Sequence, residues 1–290
     1  MYRSIEPQTI PTAQLHALLL GSVSPRPICF ASTIDKLGNV NLSPFSFFNV
    51  FGSNPPILIF SPARRVRDNT FKHTLENVLE VPEVVVNIVN YAMVEQVSLA
   101  SCEYEKGVNE FIKAGFTALP SDLVKPPRVA ESPVQFECKV NQVIHTGEQG
   151  GAGNLVICQI IKAHFKENIF DKNGQINPHK IDTVARMGSD WYCRASGDAV
   201  FEVPKPNLKK GIGFDNLPQS VLQSEVLTGN DLGRLANIEA EALPTTQEVE
   251  QFKQSLTQPL PNIRAIHQKV KELLARNQLK TAWLWLLAST

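Results

Sequence analysis

The chain has 290 residues, 43% of them hydrophobic, and 28 Lys+Arg balance 28 Asp+Glu, so its formal net charge is zero. That composition supports a core of ordinary size in one large domain or a domain plus an appendage. It leaves no positive excess to gather nucleic acid or an anionic membrane surface.

The N-terminal Met1–Pro7 has neither a long apolar run nor a small-residue cleavage site, so no signal peptide is expected. The densest apolar run, Ala282–Ala288, falls far short of the roughly 20 residues that span a bilayer. A cytoplasmic protein is expected. Cys29, Cys102, Cys138, Cys158 and Cys193 are scattered and form no C-x-x-C pair, and the six histidines show no ligand spacing. Neither a disulfide framework nor a metal site is predicted.

In chain order, Ile28–Ile34, Val40–Ser43, Pro56–Ser61, Glu83–Val89, Val134–Ile144 and Leu155–Lys166 read as strands rich in Val, Ile and Phe. Asp35–Asn39, with Gly38 supplying positive φ, is a hairpin turn between the first two. Helices are predicted over Thr70–Glu80, with Phe71, Leu75, Val78 and Leu79 on one face, over Ala92–Ala100, and more weakly over Val108–Ala114. Strands separated by turns rather than by regular crossover helices favour a barrel over a doubly wound sheet.

Beyond about Ala199 the character changes. Pro204-Lys205-Pro206 breaks the chain and Lys209–Gly233 is turn-rich. Thr245-x-x-Glu248 is a capping box that opens one helix, Asn262 caps a second with the stripe Ile263, Ile266, Val270, Leu273 and Leu274, and Leu279–Leu287 makes a third. The expected organisation is a mainly β domain over residues 1–199 and a turn-rich, then helical, extension over 200–290 that packs on the barrel or across a dimer, with Trp283 and Trp285 at least partly buried.

Two segments carry chemistry. In Asn41–Asn49 small hydroxyl residues alternate with aromatics around Pro44. Backbone N–H groups there, with Ser46 and Asn49, suit the edge of a planar heterocycle, although the same residues would serve in a core-packing loop. In Ser61-Pro62-Ala63-Arg64-Arg65-Val66-Arg67, three arginines follow a strand end, and Lys72-His73-Thr74 opens the next helix. A helix N-terminus with arginine forks and a lysine suits a phosphate; a solvated basic face is the alternative. No G-x-x-x-x-G-K-[ST] signature is present, which disfavours a nucleoside triphosphate.

R-P-x-x-x-x-S-T at Arg26–Thr33, N-L-S-P-F-S-F-F-N at Asn41–Asn49, P-x-L-x-F-S at Pro56–Ser61 and K-H-T-L-E-N at Lys72–Asn77 resemble the flavin-reductase-like, FMN-binding split-barrel family. V-V-N-I-V at Val85–Val89, V-K-P-P-R-V-A-E-S-P at Val124–Pro133 and R-M-G-x-D-W-Y at Arg186–Tyr192 continue the resemblance in the family's order, over about Leu19 to Ala195. It implies a split β-barrel with a few peripheral helices, a homodimer, and FMN near the dimer interface. By the same resemblance Ser46, Phe47 and Asn49 would line the isoalloxazine or ribityl chain. Ser61, Arg64, Lys72, His73 and Thr74 would surround the phosphate, with Asn87 and Tyr192 as second-rank pocket residues. His73 stands where the family commonly has Asp. Gly151-Ala152-Gly153-Asn154 stands where many short-chain flavin reductases carry Gly-Asp-His, whose His helps seat the nicotinamide, so slower reduction is expected here.

The function implied is an FMN-binding oxidoreductase that reduces flavin with NAD(P)H and passes electrons to oxygen, iron or a partner monooxygenase. The alternative is an FMN-binding electron carrier of the flavoredoxin kind, or a flavin-storage protein, without nicotinamide turnover. Hydride transfer to flavin needs no acid or base side chain, so no catalytic residue is assigned.

Overall fold

The computed structural model describes residues 1–204, 206 and 209–289; Lys205, within the expected chain break, lies outside the described residues. The chain divides into two compact units, Met1–Phe201 and Glu202–Thr290.

The strands of the first unit are β1 (Arg26–Pro27), β2 (Cys29–Ile34), β3 (Val40–Phe45), β4 (Phe48–Ser53), β5 (Pro56–Phe60), β6 (Glu83–Ile88), β7 (Ala118–Leu119), β8 (Arg128–Val129), β9 (Val134–His145), β10 (Asn154–Phe165), β11 (Val184–Arg186) and β12 (Tyr192–Arg194). Seven of them form one antiparallel sheet in the order β3-β2-β6-β9-β10-β5-β4. Its two edge strands, β3 and β4, are consecutive in the chain and separated only by Ser46 and Phe47. Two residues reach roughly 7 Å, so the sheet curls until its edges approach without pairing: a split barrel.

β2 is buried along its whole length, which explains why its sequence does not alternate. Cys29 and Ala31 join the barrel interior with Phe45, Leu58, Phe60, Val84, Val86, Cys138, Val156 and Cys158. Ile28 and Phe30 belong to a second cluster with Met93, Val97, Phe111 and Phe116. The Cys29 and Cys158 thiols are pushed well up by burial, so they stay protonated and act as small hydrophobes.

The unit's helices are α1 (Thr12–Ser22), α2 (His73–Glu80), α3 (Val94–Leu99), α4 (Glu110–Ala114) and α5 (Pro178–Ile181). Several expectations are corrected. Asn41–Asn49 is no loop but strand, two-residue turn and strand. Pro44 is tolerated because β3 is an edge strand. α2 starts at His73 rather than Thr70 because Asp68 draws the preceding backbone into a local turn, accepting from the Thr70 N–H at 3.1 Å and its hydroxyl at 2.6 Å. Leu79 is exposed, whereas Leu75 and Val78 are buried.

The second unit contains α6 (Gln219–Leu222), α7 (Gly229–Ala236), α8 (Thr246–Ser255), α9 (Ile263–Ala275) and α10 (Leu279–Ala288). Both Thr245/Glu248 and Thr228/Asp231 form capping boxes, and Asn262 caps α9. The second of these boxes opens a helix inside the stretch expected to be turns. Leu235, Val270, Leu274, Ala282, Trp283 and Leu286 form the core, and the Trp283 indole donates to the Leu235 carbonyl at 3.3 Å.

His267 on α9 is buried, and among the described residues its Nε2 has no hydrogen-bond partner. Burial lowers its pKa below the ordinary value. The unfolded chain therefore takes up the proton more readily. The stability of the helical unit is full above about pH 6.5 and falls as pH drops below it. His267→Leu should flatten that acid-side loss, read as slower hydrogen exchange along α9 at pH 5.5 with little change at pH 8. An unaltered pH dependence in the variant would contradict this.

Candidate functional site

The Ser46–Phe47 turn is tied to the end of β5: the Ser61 N–H donates to the Phe47 carbonyl at 2.8 Å. Arg26, buried on β1, donates to Ser46 Oγ at 3.4 Å and to the carbonyls of Val23 and Met187 at 2.7 Å each. One guanidinium thus fixes the end of α1, the Met187 turn and the Ser46 loop together. Phe47 is exposed and sits edge-on to His16, ring centres 6.0 Å apart. Asn49 is exposed on β4, and its side chain accepts from the Val50 N–H at 2.8 Å.

After Ser61 the chain loops to Lys72. Arg64 and the β9–β10 hairpin are zipped by two backbone bonds, Arg64 N–H to Ala152 carbonyl at 2.9 Å and Gly151 N–H to Arg64 carbonyl at 3.0 Å. Glycine is required there. A Cβ at Gly150 would lie 3.0 Å from the Arg65 and Val66 carbonyls, and one at Gly153 would lie 3.0 Å from Ser61 Oγ. Asn154 completes the junction. Fully buried, it donates through its backbone N–H to Ser61 Oγ at 3.0 Å and through its side chain to the Pro62 carbonyl at 2.8 Å, and its Oδ1 lies 2.6 Å from His145 Nδ1. The Gly151–Asn154 segment therefore braces the Ser61 loop. His145 is held by Asn154 and lies nearly parallel to Phe71, ring centres 6.3 Å apart. His164 meets Glu137 at 2.7 Å.

Arg64 places its guanidinium over the Phe71 ring, 4.2 Å from its centre, and donates to the Asn69 carbonyl at 2.9 Å. Its Nε is a buried donor with no partner among the described residues. The cations that converge are Arg65, Arg67 and Lys72. All three face Glu103, at 3.1, 3.0 and 3.6 Å. Lys72 is the N-cap residue of α2, and no side chain caps that helix. Burial and the neighbouring Arg65 lower the Lys72 pKa, with Glu103 opposing them. Burial also lowers the pKa of His73, the first residue of the helix, below the ordinary value, so the imidazole is neutral at pH 7. Thr74 points inward, its hydroxyl accepting from the Asn41 side chain at 2.8 Å.

Of the residues expected at the site, Phe47 and Ser61 are joined by a backbone bond with Ser46 in the same turn, whereas Arg64, on Phe71 and Asn69, and Lys72, on Glu103, lie with His73 along the loop and helix start that follow Ser61 in the chain. Asn87 does not join them. It is fully buried, its amide donates to the Phe30 carbonyl at 2.9 Å, and its oxygen accepts from the Val129 N–H at 3.0 Å. That capacity holds β8 to the barrel. Tyr192 packs in the small β1-β11-β12 sheet, with the Arg186 guanidinium 4.6 Å from its ring centre. Sequence reading missed Arg26, Asn154 and Glu103. Arg26 stood inside a quoted motif, but Glu103 is 31 positions from Lys72 in the chain and carried no local signal.

The donor set fits a terminal phosphate: clustered cations, an uncapped helix start and an orphaned arginine Nε. The flavin reductase like domain matches residues 20–179, so the match ends before the helical unit. An uncharacterized protein of Aquifex aeolicus is 38% identical over 189 residues, covering 65% of this chain and 94% of its own. The solved structure of nitrilotriacetate monooxygenase component B from Bacillus cereus is 28% identical, covers 70% of this chain and 99% of its own, and superposes with a TM-score of 0.65. The 2-nitrobenzoate 2-nitroreductase of Pseudomonas fluorescens is 27% identical over 70% of this chain and 96% of its own, with a TM-score of 0.61. The chain belongs to the flavin reductase like family.

Proposed function

We propose that the protein is an FMN-binding oxidoreductase in which NAD(P)H reduces the flavin. The observation that carries the FMN reading is the convergence of Arg65, Arg67 and Lys72 beside the uncapped start of α2. In this reading the FMN phosphate lies on those cations and the α2 N-terminus, with Ser61 and Arg64 beside it. The Ser46–Phe47 turn borders the isoalloxazine, and Asn49 follows on β4. Bound FMN would supply the two-electron acceptor for hydride. The protein's part is to hold the ring at the barrel mouth, exclude water with Phe47, and keep one ring face open for the nicotinamide.

The reduced flavin's electrons would be available to oxygen, iron or a partner monooxygenase, and a neighbour named as a monooxygenase component supports the last of these. Among the described residues no helix is long and apolar enough to cross a membrane; a cytoplasmic site of action is part of the same proposal. Titration with FMN, FAD and riboflavin tests the cofactor: FMN should bind most tightly, and equal affinity for riboflavin would refute the phosphate assignment.

The same proposal includes a homodimer. Val50 and Phe51 are 62% and 64% exposed on β4, an edge strand that follows Phe47 in the chain, and a second copy of the chain would cover them. Phe51→Asp should convert a dimer to a monomer in light scattering at micromolar concentration and weaken flavin binding at the same time. A wild-type protein that is already a monomer with flavin bound would overturn the dimer.

A further inference from the structure

We propose that Glu103 is an internal stand-in for the ligand's phosphate, one that the cofactor must displace to bind, so that FMN is held exchangeably. The inference rests on the FMN reading above and deepens it. Glu103 lies in the loop between α3 and α4. One of its carboxylate oxygens is 3.1 Å from Arg65 Nε and 3.6 Å from Lys72 Nζ, and the other is 3.0 Å from Arg67 Nη2. A single carboxylate therefore contacts three cations of the one loop between β5 and α2, where an anionic group of a ligand would sit.

The charges fit an exchange. Arg65, Arg67 and Lys72 bring three positive charges. Asp68 pairs with Arg67 at 3.0 Å and Glu103 supplies the other negative charge. With Glu103 in place the cluster carries one positive charge, and with Glu103 swung away it carries two. The second value matches a phosphate monoester, which bears about −1.5 to −2 near neutral pH. Inorganic phosphate and the phosphate of FMN share this chemistry.

Release is also cheap in free energy. The Glu103 side chain is 44% exposed and its partner Arg67 72% exposed, so the carboxylate stays hydrated when it leaves and its pair with Arg67 is weak. A phosphate offers the same cations more acceptor oxygens and more charge. Arg65 has an anchor that does not depend on Glu103: its Nη1 donates to Thr70 Oγ1 at 2.9 Å. The seat therefore keeps much of its shape when the carboxylate departs.

The test compares wild type with Glu103→Gln and Glu103→Ala in the full-length protein, measuring dissociation constants for FMN, riboflavin and inorganic phosphate. Thermal unfolding checks that the variants fold. Removing the competing charge should tighten FMN about tenfold, tighten inorganic phosphate in the same direction, and leave riboflavin unchanged. Unchanged or weaker binding of both phosphate ligands in both variants would overturn the inference and make Glu103 a positioning residue for the cations. Tighter inorganic phosphate with no FMN binding in any form would sustain the stand-in role and sink the flavin reading.

Discussion

Replacing Lys72 with alanine is expected to weaken FMN binding about 10- to 100-fold while riboflavin affinity stays nearly constant. Charge-assisted hydrogen bonds to a phosphate contribute about 1.5–3 kcal/mol each, and each 1.4 kcal/mol is a tenfold change in affinity. Lys72 stands at the N-cap position of α2 without a side-chain cap, where its charge adds to the helix's own partial positive charge. The part of the affinity due to the phosphate should fall with rising salt, because the cluster is partly solvated. Isothermal titration with the two flavins reads both effects. An equal loss for FMN and riboflavin would mean that Lys72 supports the loop rather than the phosphate.

The largest effect on stability is expected from Glu137→Ala, about 3–5 kcal/mol in chemical denaturation of the barrel unit. Glu137 is fully buried on β9. One carboxylate oxygen accepts from the Asp122 N–H at 2.9 Å and meets His164 Nε2 at 2.7 Å; the other accepts from the Leu123 and Val124 N–H groups at 2.6 and 3.2 Å. Removing the carboxylate orphans several donors at once, the costly way to break a buried polar network. Burial pushes the Glu137 carboxyl up, but the Asp122 and Leu123 N–H groups and His164 outweigh it and hold its pKa below the ordinary value. A depressed folded-state pKa gives stability that is present above the unfolded value of about 4.5 and lost as pH falls through the folded one. The gap between wild type and Glu137→Ala should therefore be full at pH 7 and narrow below about pH 4.5. A gap of constant size across that range would assign the loss to packing alone.

The strands of the barrel were legible because five of them are dense Val/Ile/Phe runs bounded by turn residues, and β9 and β10 in particular lie where periodicity puts them. β4 was not legible. Phe48–Ser53 contains Gly52 and Asn49 and follows a proline-bearing segment, so local propensity reads it as loop, and only pairing with β5 makes it a strand. In the helical unit Thr228-x-x-Asp231 is a capping signal of the same type as Thr245-x-x-Glu248, obscured by four glycines between Gly211 and Gly233.

The site divides in the same way. Lys72 and the basic run were visible because they are adjacent in the chain. Which arginines converge was not, since Arg64 is turned onto Phe71 by the Asn69 turn while Arg65 and Arg67 face Glu103. Asn87 was a second-rank pocket residue by the family resemblance alone, yet tertiary pairing with Phe30 and Val129 claims its amide.

Binding of FMN and its reduction by a nicotinamide can be tested together. The most direct measurement is anaerobic stopped-flow absorbance of the FMN-loaded protein mixed with NADH and, separately, NADPH. Bleaching of the flavin's visible band within minutes by at least one of them is expected, and more slowly than with a Gly-Asp-His motif, because Gly151–Asn154 carries no histidine to orient the nicotinamide. Bleaching by dithionite but by neither nicotinamide would contradict it and leave an FMN-binding electron carrier.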